Sequence, residues 1–445
     1  MNLVIIKEHI KETVKLAVPI SFGQLGHVMM GVVDSVMVGK VGTVPLAAAA
    51  LVNGLFFLVL VLGIGVSMAA TPLISMAKGA QKFENCGKTL NHSLIVNFLF
   101  SVLLTIITYS VSFLIPFLNQ PKEVVAEAIP YLQILAGSLI PFMIFQSYRQ
   151  FLEGLSIPIP PMVIALTANL INAFLNWIFI FGHFGIAALG LFGAGIATTA
   201  TRWIMAIGLL VFVMNYEKVK KYLPKFSFSP IDKNLIKKLV SIGLPSGFQY
   251  FLEVAAFSFA AVMIGWIGSK NLAAHQVAIN MASITYMIIL GISAAGTIRV
   301  GGFVGENDWA KVRYAGFTAL GFAVSVMFSF GIIFILFNHS LPLFYIEDKE
   351  VIAIASQLLI VAALFQIFDG MQASGIGILR GLADVKVPLV ISLLSYWIIG
   401  IPVGALLGFY FNLGAVGVWI GLLIGLALLG LTMLLRFDYK TKHCV

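Results

Sequence analysis

Three carboxylates, Asp34, Glu253 and Asp369, fall inside long apolar runs, and of the 18 Asp and Glu in the chain they alone lie well within stretches that read as membrane spans. An ionised carboxylate in hydrocarbon costs at least about 2.5 to 3.5 kcal/mol, so each should face a protein interior and meet a proton, a cation or a partner side chain. The chemistry on offer is reversible binding of positive charge. Structural hydrogen bonds or ion pairs between helices are the plainer use, but three such groups in one chain favour binding.

Polar neighbours can be assigned by helical spacing. His27 precedes Asp34 by seven residues, which puts both on one face of the first span and suggests a proton-responsive or cation-binding spot. Asn169, Asn172 and Asn176 are spaced i, i+3, i+7, three amides on one face of an apolar helix, suited to ion, water or substrate and equally to interhelical hydrogen bonds. Arg202 is an intramembrane cation that should pair or snorkel. Pro19 and Pro245 each remove a helix donor and are expected to kink or hinge their spans. Gly417, Gly421 and Gly425 recur every fourth residue, a close-packing face.

The elements that must position these groups follow from composition. Of 445 residues 60% are hydrophobic and only 10% charged, against roughly 45 to 50% and about 25% in soluble domains. The chain therefore reads as an all-α polytopic membrane protein. Twelve apolar runs of bilayer length are expected near 14–38, 46–77, 90–117, 124–152, 160–182, 190–214, 237–266, 272–302, 313–340, 350–379, 386–410 and 414–436. The charged start (Lys7, Glu8, Lys11, Glu12, Lys15) reads as an amphipathic cytoplasmic helix entering the first span. With a cytoplasmic N-terminus, one set of turns holds Lys78, Lys82, Lys88, Lys311, Arg313, Lys386, a run from Lys218 through Lys225 to Lys238, and Arg436, Lys440 and Lys442. The other holds only Lys40, Lys122, Lys270 and Lys349. This asymmetry places both termini in the cytoplasm of a multi-pass inner-membrane protein. The net charge of +9 is scattered at helix ends without a base-stacking platform, which excludes nucleic acid as a partner. Cys86 and Cys444 stand apart, so neither a disulfide nor a zinc site is implied.

The polar connector at 215–236 lies near the midpoint, and the halves around it repeat. At an offset of 226, Pro19 falls on Pro245, Phe22 on Phe248, Gly42 on Gly268, Gly65 on Gly291, Ser67 on Ser293, Thr71 on Thr297 and Gly79 on Gly305. After a one-residue slip, Gly154-Leu155 falls on Gly381-Leu382, Pro161 on Pro388 and Gly190 on Gly417. The expected domains are a six-helix lobe at 1–214, the linker at 215–236 and a second lobe at 237–445. Six spans per half make the repeats parallel, an arrangement that suits alternating access by rocking one half against the other.

The segments Val33-Asp34-Ser35-Val36-Met37-Val38-Gly39, Ala273-Ala274-His275-Gln276-Val277-Ala278-Ile279-Asn280 and Leu379-Arg380-Gly381-Leu382-Ala383-Asp384 resemble the multidrug and toxic compound extrusion family in its NorM-like bacterial branch, and the likeness runs over the whole chain. The resemblance implies a V-shaped pair of lobes and an antiporter that exports organic cations in exchange for Na⁺ or H⁺. It also implies that Glu253 and Asp369 form the cation site of the second lobe, and that Asp34 provides a pocket in the first. Some relatives carry a tyrosine one turn before the second acid, where this chain has Phe365. Na⁺, a hard cation, prefers several oxygen ligands, which Gln276, Asn280 and Gln372 would supply, whereas a proton needs one carboxylate. Both ions remain open at this point.

Nothing resembles a phosphate-binding loop, so no nucleotide cofactor is expected and an ion gradient would drive transport. A membrane enzyme would need a metal or nucleophile constellation, and none stands out. A lipid-linked oligosaccharide flippase is the alternative transporter; its cavity should gather Arg or Lys around a pyrophosphate, whereas the buried set read here is acidic. Expected partners are small cationic or amphipathic substrates and membrane lipid.

Overall fold

The computed structural model describes residues 3–223 and 231–442. Residues 224–230 of the connector, Lys225 among them, and Cys444 lie outside the described residues. Backbone in hydrocarbon has no water to bond, so apolar runs close their hydrogen bonds within themselves as helices. Twelve helices are long and apolar enough to cross a bilayer, and no strand occurs among the described residues. The first six are α1 (Ile6–Gly39), α2 (Thr43–Gly79), α3 (Phe83–Ser112), α4 (Lys122–Gly154), α5 (Ile159–Phe181) and α6 (Gly190–Asn215). The second six are α7 (Lys233–Ile267), α8 (Ser269–Gly305), α9 (Trp309–Leu336), α10 (Lys349–Gly381), α11 (Lys386–Tyr410) and α12 (Gly414–Lys442).

The expected spans match these helices, with one instructive difference at the end of α4. The charged lead-in is helical, as expected, and runs without a break into the first span, so α1 as a whole starts well before residue 14. α4 runs on to Gly154, past the expected end at 152, and brings Glu153 into the interior at 3% exposure. The expectation that Asp34, Glu253 and Asp369 are the only interior carboxylates is corrected: Glu153 is a fourth, held by Arg149 Nε at 2.6 Å.

The duplication is written into the backbone. Gln81 and Asn307, 226 residues apart, and Ser156 and Ala383, 227 apart, are non-glycine residues in the left-handed region, with φ of 58°, 59°, 62° and 58°. Each ends a helix in the same way: the Ala383 amide donates to Arg380 O at 2.8 Å and the Asp384 amide to Leu379 O at 2.9 Å, as Ser156 and Ile157 do to Glu153 O and Leu152 O. This is the paired turn that satisfies the last carbonyls of a helix.

The packing units differ from the lobes expected at 1–214 and 237–445. One compact unit is Phe22–Gly247; the other is Met1–Ser21 together with Phe248–Val445. Each boundary falls inside a helix, two residues after Pro19 in α1 and two after Pro245 in α7. The early part of α1 docks on α8, where Ser21 Oγ donates to Ile288 O at 3.0 Å and Arg299 Nη1 donates to His9 O at 2.6 Å and to Thr13 Oγ1 at 2.8 Å. The early part of α7 docks on α2. The matched glycines permit both approaches: a Cβ on Gly65 would lie 2.4 Å from Gly247 Cα, and one on Gly291 would lie 2.1 Å from Ser21 Oγ. The unit of duplication and the unit of packing thus have different boundaries.

In the second unit α11 winds as a π-helix over Leu394–Gly400 and again over Leu406–Tyr410. Its Gly400, Gly404 and Gly408 interlock with Gly417, Gly421 and Gly425 of α12, where a Cβ on Gly421 would come within 2.3 Å of Gly404 Cα. The small-residue face expected on the last span therefore has a glycine partner of the same period.

Candidate functional site

In the unit containing Phe248–Val445, α7 carries Glu253 and α10 carries Asp369, at 6% and 5% exposure. The Tyr286 hydroxyl from α8 donates to Glu253 Oε1 at 3.1 Å, and Gln372 Nε2 donates to Glu253 Oε2 at 3.2 Å. Asp369, three residues before Gln372 on the same helix, lies within electrostatic reach of Glu253 but accepts no hydrogen bond from the described residues. The expected pair is thus brought together. Beside it are oxygens without partners: Gln372 Oε1 and the fully buried Tyr396 hydroxyl on the first π-helical turn. Tyr396 is within electrostatic reach of both carboxylates, and its ring meets Phe257 at 6.0 Å between centroids. Phe365 packs edge-on against Phe257 at 5.8 Å and belongs to the buried apolar core.

Of the other oxygen donors expected here, only Gln372 arrives. Gln276 Nε2 donates to Asn280 Oδ1 at 3.0 Å, and neither side chain bonds to Glu253 or Asp369. They lie one to three turns away from Tyr286 along α8. His275 of the same motif accepts from Trp419 Nε1 at 3.0 Å and is structural.

In the unit Phe22–Gly247, Asp34 of α1 is 7% exposed and doubly held. Asn176 Nδ2 donates to its Oδ1 at 2.6 Å and Thr198 Oγ1 to its Oδ2 at 2.9 Å. Asn176 also donates to Asn172 Oδ1 at 3.2 Å, leaving Asn172 Nδ2 and Asn176 Oδ1 without partners. The amide stripe therefore splits: Asn172 and Asn176 serve Asp34, while Asn169 Nδ2 ties α5 to α1 through Gly26 O at 2.9 Å. His27 is not at this site. Its ring lies between Phe142 and Phe145, 5.9 and 5.5 Å away, and its Nε2 has no partner.

Arg202 does not ion-pair with Asp34; it donates to Ser138 Oγ at 2.5 Å and sits 5.1 Å from the ring centres of both Phe56 and Phe142. The two aromatic faces and the hydroxyl compensate a guanidinium in the membrane interior. Arg149 and Arg380 are buried as well, at 4% and 7% exposure. The interior set is therefore mixed in charge and not simply acidic as expected. Arg149 is neutralised by Glu153, however, so the arginines do not form one polyanion site. Sequence reasoning also missed Tyr286 and Tyr396, since a tyrosine in an apolar run carries no charge to flag it. The signal was available for Tyr396 in its register with Asn169 across the repeat. Among the described residues no three His, Cys, Asp or Glu gather as a metal centre.

Comparison with known proteins covers nearly the whole chain. The family model MatE matches residues 19–178 and 245–406. A probable multidrug resistance protein NorM from Mesorhizobium japonicum is 34% identical over 97% of this chain and 94% of its own length. The multidrug resistance protein NorM of Photobacterium profundum is 30% identical over 96% and 95%. Among solved structures, the eukaryotic MATE transporter AtDTX14 superposes with a TM-score of 0.88 at 21% identity over 99% of both chains. The Vibrio cholerae MATE transporter VcmN in its bent form does so with a TM-score of 0.88 at 20% identity, again over 99% of both.

Proposed function

Because the chain belongs to the MatE family, the multidrug and toxic compound extrusion transporters, we propose that it exports small organic cations across the cytoplasmic membrane, with both termini inside, in exchange for Na⁺ or H⁺. The observation that carries this reading is the Glu253–Asp369 pair. One carboxylate is oriented by Tyr286 and Gln372, and the other lacks any donor among the described residues. Two buried negative charges side by side repel each other and attract a cation or a proton. The pair holds one positive occupant at a time, so coupling ion and substrate exclude each other, and exclusion at one charged site gives exchange. One-for-one exchange of single charges moves no net charge, so the driving force is the ion's concentration gradient: a tenfold inward gradient, about 1.4 kcal/mol, sustains up to a tenfold outward substrate gradient. The unpartnered oxygens of Gln372 and Tyr396 suit a hard cation with several oxygen ligands. Asp34, with both oxygens hydrogen-bonded, acts as a second site that responds to protonation, while Pro19 and Pro245 serve as hinges of α1 and α7. The reading is tested in cells that lack other drug pumps: expressing the chain lowers ethidium accumulation, and Asp369→Asn at equal expression restores it. Equal accumulation with and without the wild-type chain would contradict export.

A further inference from the structure

The turns rich in Lys and Arg are compensated differently in the two packing units. In the unit containing Phe248–Val445 the cations meet acids. Lys311 lies 3.0 Å from Asp308 and 3.8 Å from Glu306, Arg313 pairs with Asp438 at 2.6 Å, and Arg436 pairs with Asp384 at 2.7 Å. In the unit Phe22–Gly247, Lys218, Lys220, Lys221, Lys233, Lys237 and Lys238 are exposed, and none forms an ion pair with a described residue. Asp232, beside them in sequence, accepts instead from the Asn234 and Leu235 amides at 2.9 and 3.2 Å, at the start of α7. The contrast extends to matched positions, since Lys82 falls on Asp308 at the offset of 226. The same turn of the repeat is thus basic in one copy and acidic in the other.

Part of this basic surface is held in place by its neighbours. Lys78, at the end of α2, donates from Nζ to Leu155 O at 2.8 Å and to Ser156 Oγ at 3.0 Å. That uses two of the three N–H groups of the ammonium and leaves one. The charged neighbour that reaches Lys78 is Lys221, of like sign, and no carboxylate pairs with either. Lys221 follows the helical turn Glu217–Lys220, and its Nζ lies 5.2 Å from the Phe83 ring centre and 4.9 Å from that of Tyr222. The two rings meet edge-on at 5.3 Å, and Tyr222 is buried while Phe83 is 38% exposed. Neighbouring ammonium groups without an acid repel each other, and an anion beside both removes that repulsion. The cluster gathers at the ends of α2, α4 and α6 and the starts of α3 and α7, the depth at which lipid headgroups meet lysines and aromatic rings. We propose that this surface binds anionic phospholipid, with a headgroup phosphate received by Lys78 and Lys221, and thereby ties the connector to the leaflet on its side. The position at span ends favours lipid over a soluble anion, because the exposed Phe83 offers apolar surface to the glycerol and upper acyl chain beside the two cations.

Two lipids with the same acyl chains separate this role from general lipid contact: dioleoylphosphatidylglycerol, which is anionic, and dioleoylphosphatidylcholine, which is zwitterionic. The apparent Kd for the first lipid bound by the full chain in detergent is measured by native mass spectrometry. Wild type is compared with the double variant Lys218→Gln/Lys221→Gln and with Lys40→Gln/Lys122→Gln, which removes equal charge from exposed lysines at the opposite span ends of the same unit. A lysine close to an anionic headgroup is worth roughly fivefold in binding. Wild type is therefore expected to bind phosphatidylglycerol about tenfold or more tighter than phosphatidylcholine. The first double variant should weaken phosphatidylglycerol about tenfold or more and the second less than about twofold. Equal losses in the two double variants, or a wild type with no preference between the lipids, overturn the proposal. Displacement of phosphatidylglycerol by millimolar inorganic phosphate makes this a site for the free anion, and binding of poly-glutamate by a wild type that does not prefer phosphatidylglycerol makes it a protein surface; either result also overturns it. Should the double variant not fold, Lys221→Gln alone decides: it weakens phosphatidylglycerol about fivefold if Lys221 receives the headgroup, and an unchanged Kd contradicts that.

Discussion

Glu153 and Arg149 stand four residues apart in α4, both 4% exposed at the side chain, with a 2.6 Å contact between them. A buried pair of this kind contributes little net stability, but removing one partner leaves the other charge uncompensated at a cost of about 3 to 5 kcal/mol. Arg149→Met and Glu153→Leu singly are therefore expected to lower the melting temperature in detergent far more than the double variant does; additive losses would show that the two charges are not coupled. At Asp34 the prediction is milder: Asn176→Leu removes the 2.6 Å donor and should cost about 1 to 3 kcal/mol, measured in the same way. The carboxylates were legible from sequence because a charge within an apolar run is conspicuous. Glu153 was not, since a two-residue difference in the end of α4 decides whether it is inside, and the hydroxyls of Tyr286 and Tyr396 carry no such mark. The failure of Gln276 and Asn280 to join the site has a similar origin, because sequence places them on α8 but does not say which turn faces Glu253.

The helices were readable by length and hydropathy, and their ends explain the remaining errors. The charged lead-in was legible as an amphipathic helix, and α1 continues through it into the span. The turns after α2, α4, α8 and α10 close in the same left-handed conformation without glycine. Ala383, at φ 58°, is the least suited of the four side chains, so Ala383→Gly is expected to stabilise the protein by about 0.5 to 1 kcal/mol despite the added chain entropy. An unchanged or lower melting temperature would contradict this. Between α11 and α12 the two glycine ladders leave no space at Gly421. Gly421→Leu should prevent the helices from meeting and abolish a monodisperse peak in size-exclusion chromatography. Gly302→Ala, where an added Cβ meets nothing within 4 Å, should leave the profile unchanged. The π-helical turns of α11 had no signature in hydropathy, since a widened turn shifts the register of an apolar helix without altering its composition.

At the scale of the whole molecule the duplication was legible because Gly and Pro keep register over two halves, whereas the exchange of the early parts of α1 and α7 was not, because nothing in the pattern of apolar runs says which neighbours a helix chooses. The matched glycines Gly65 and Gly291 stand where those parts dock, so Gly65→Val and Gly291→Val should cause comparable losses of stability; a large loss at one and none at the other would argue against equivalent crossings. The account as a whole depends on exchange through the acid pair of one unit. Its most direct test is transport of an organic-cation dye in proteoliposomes under an imposed Na⁺ or pH gradient, for wild type, Glu253→Gln, Asp369→Asn and Asp34→Asn. The account predicts gradient-driven transport by wild type that is abolished by either substitution in the pair and only reduced by Asp34→Asn. Transport that survives both substitutions in the pair and vanishes with Asp34→Asn would place the coupling in the other unit and contradict it.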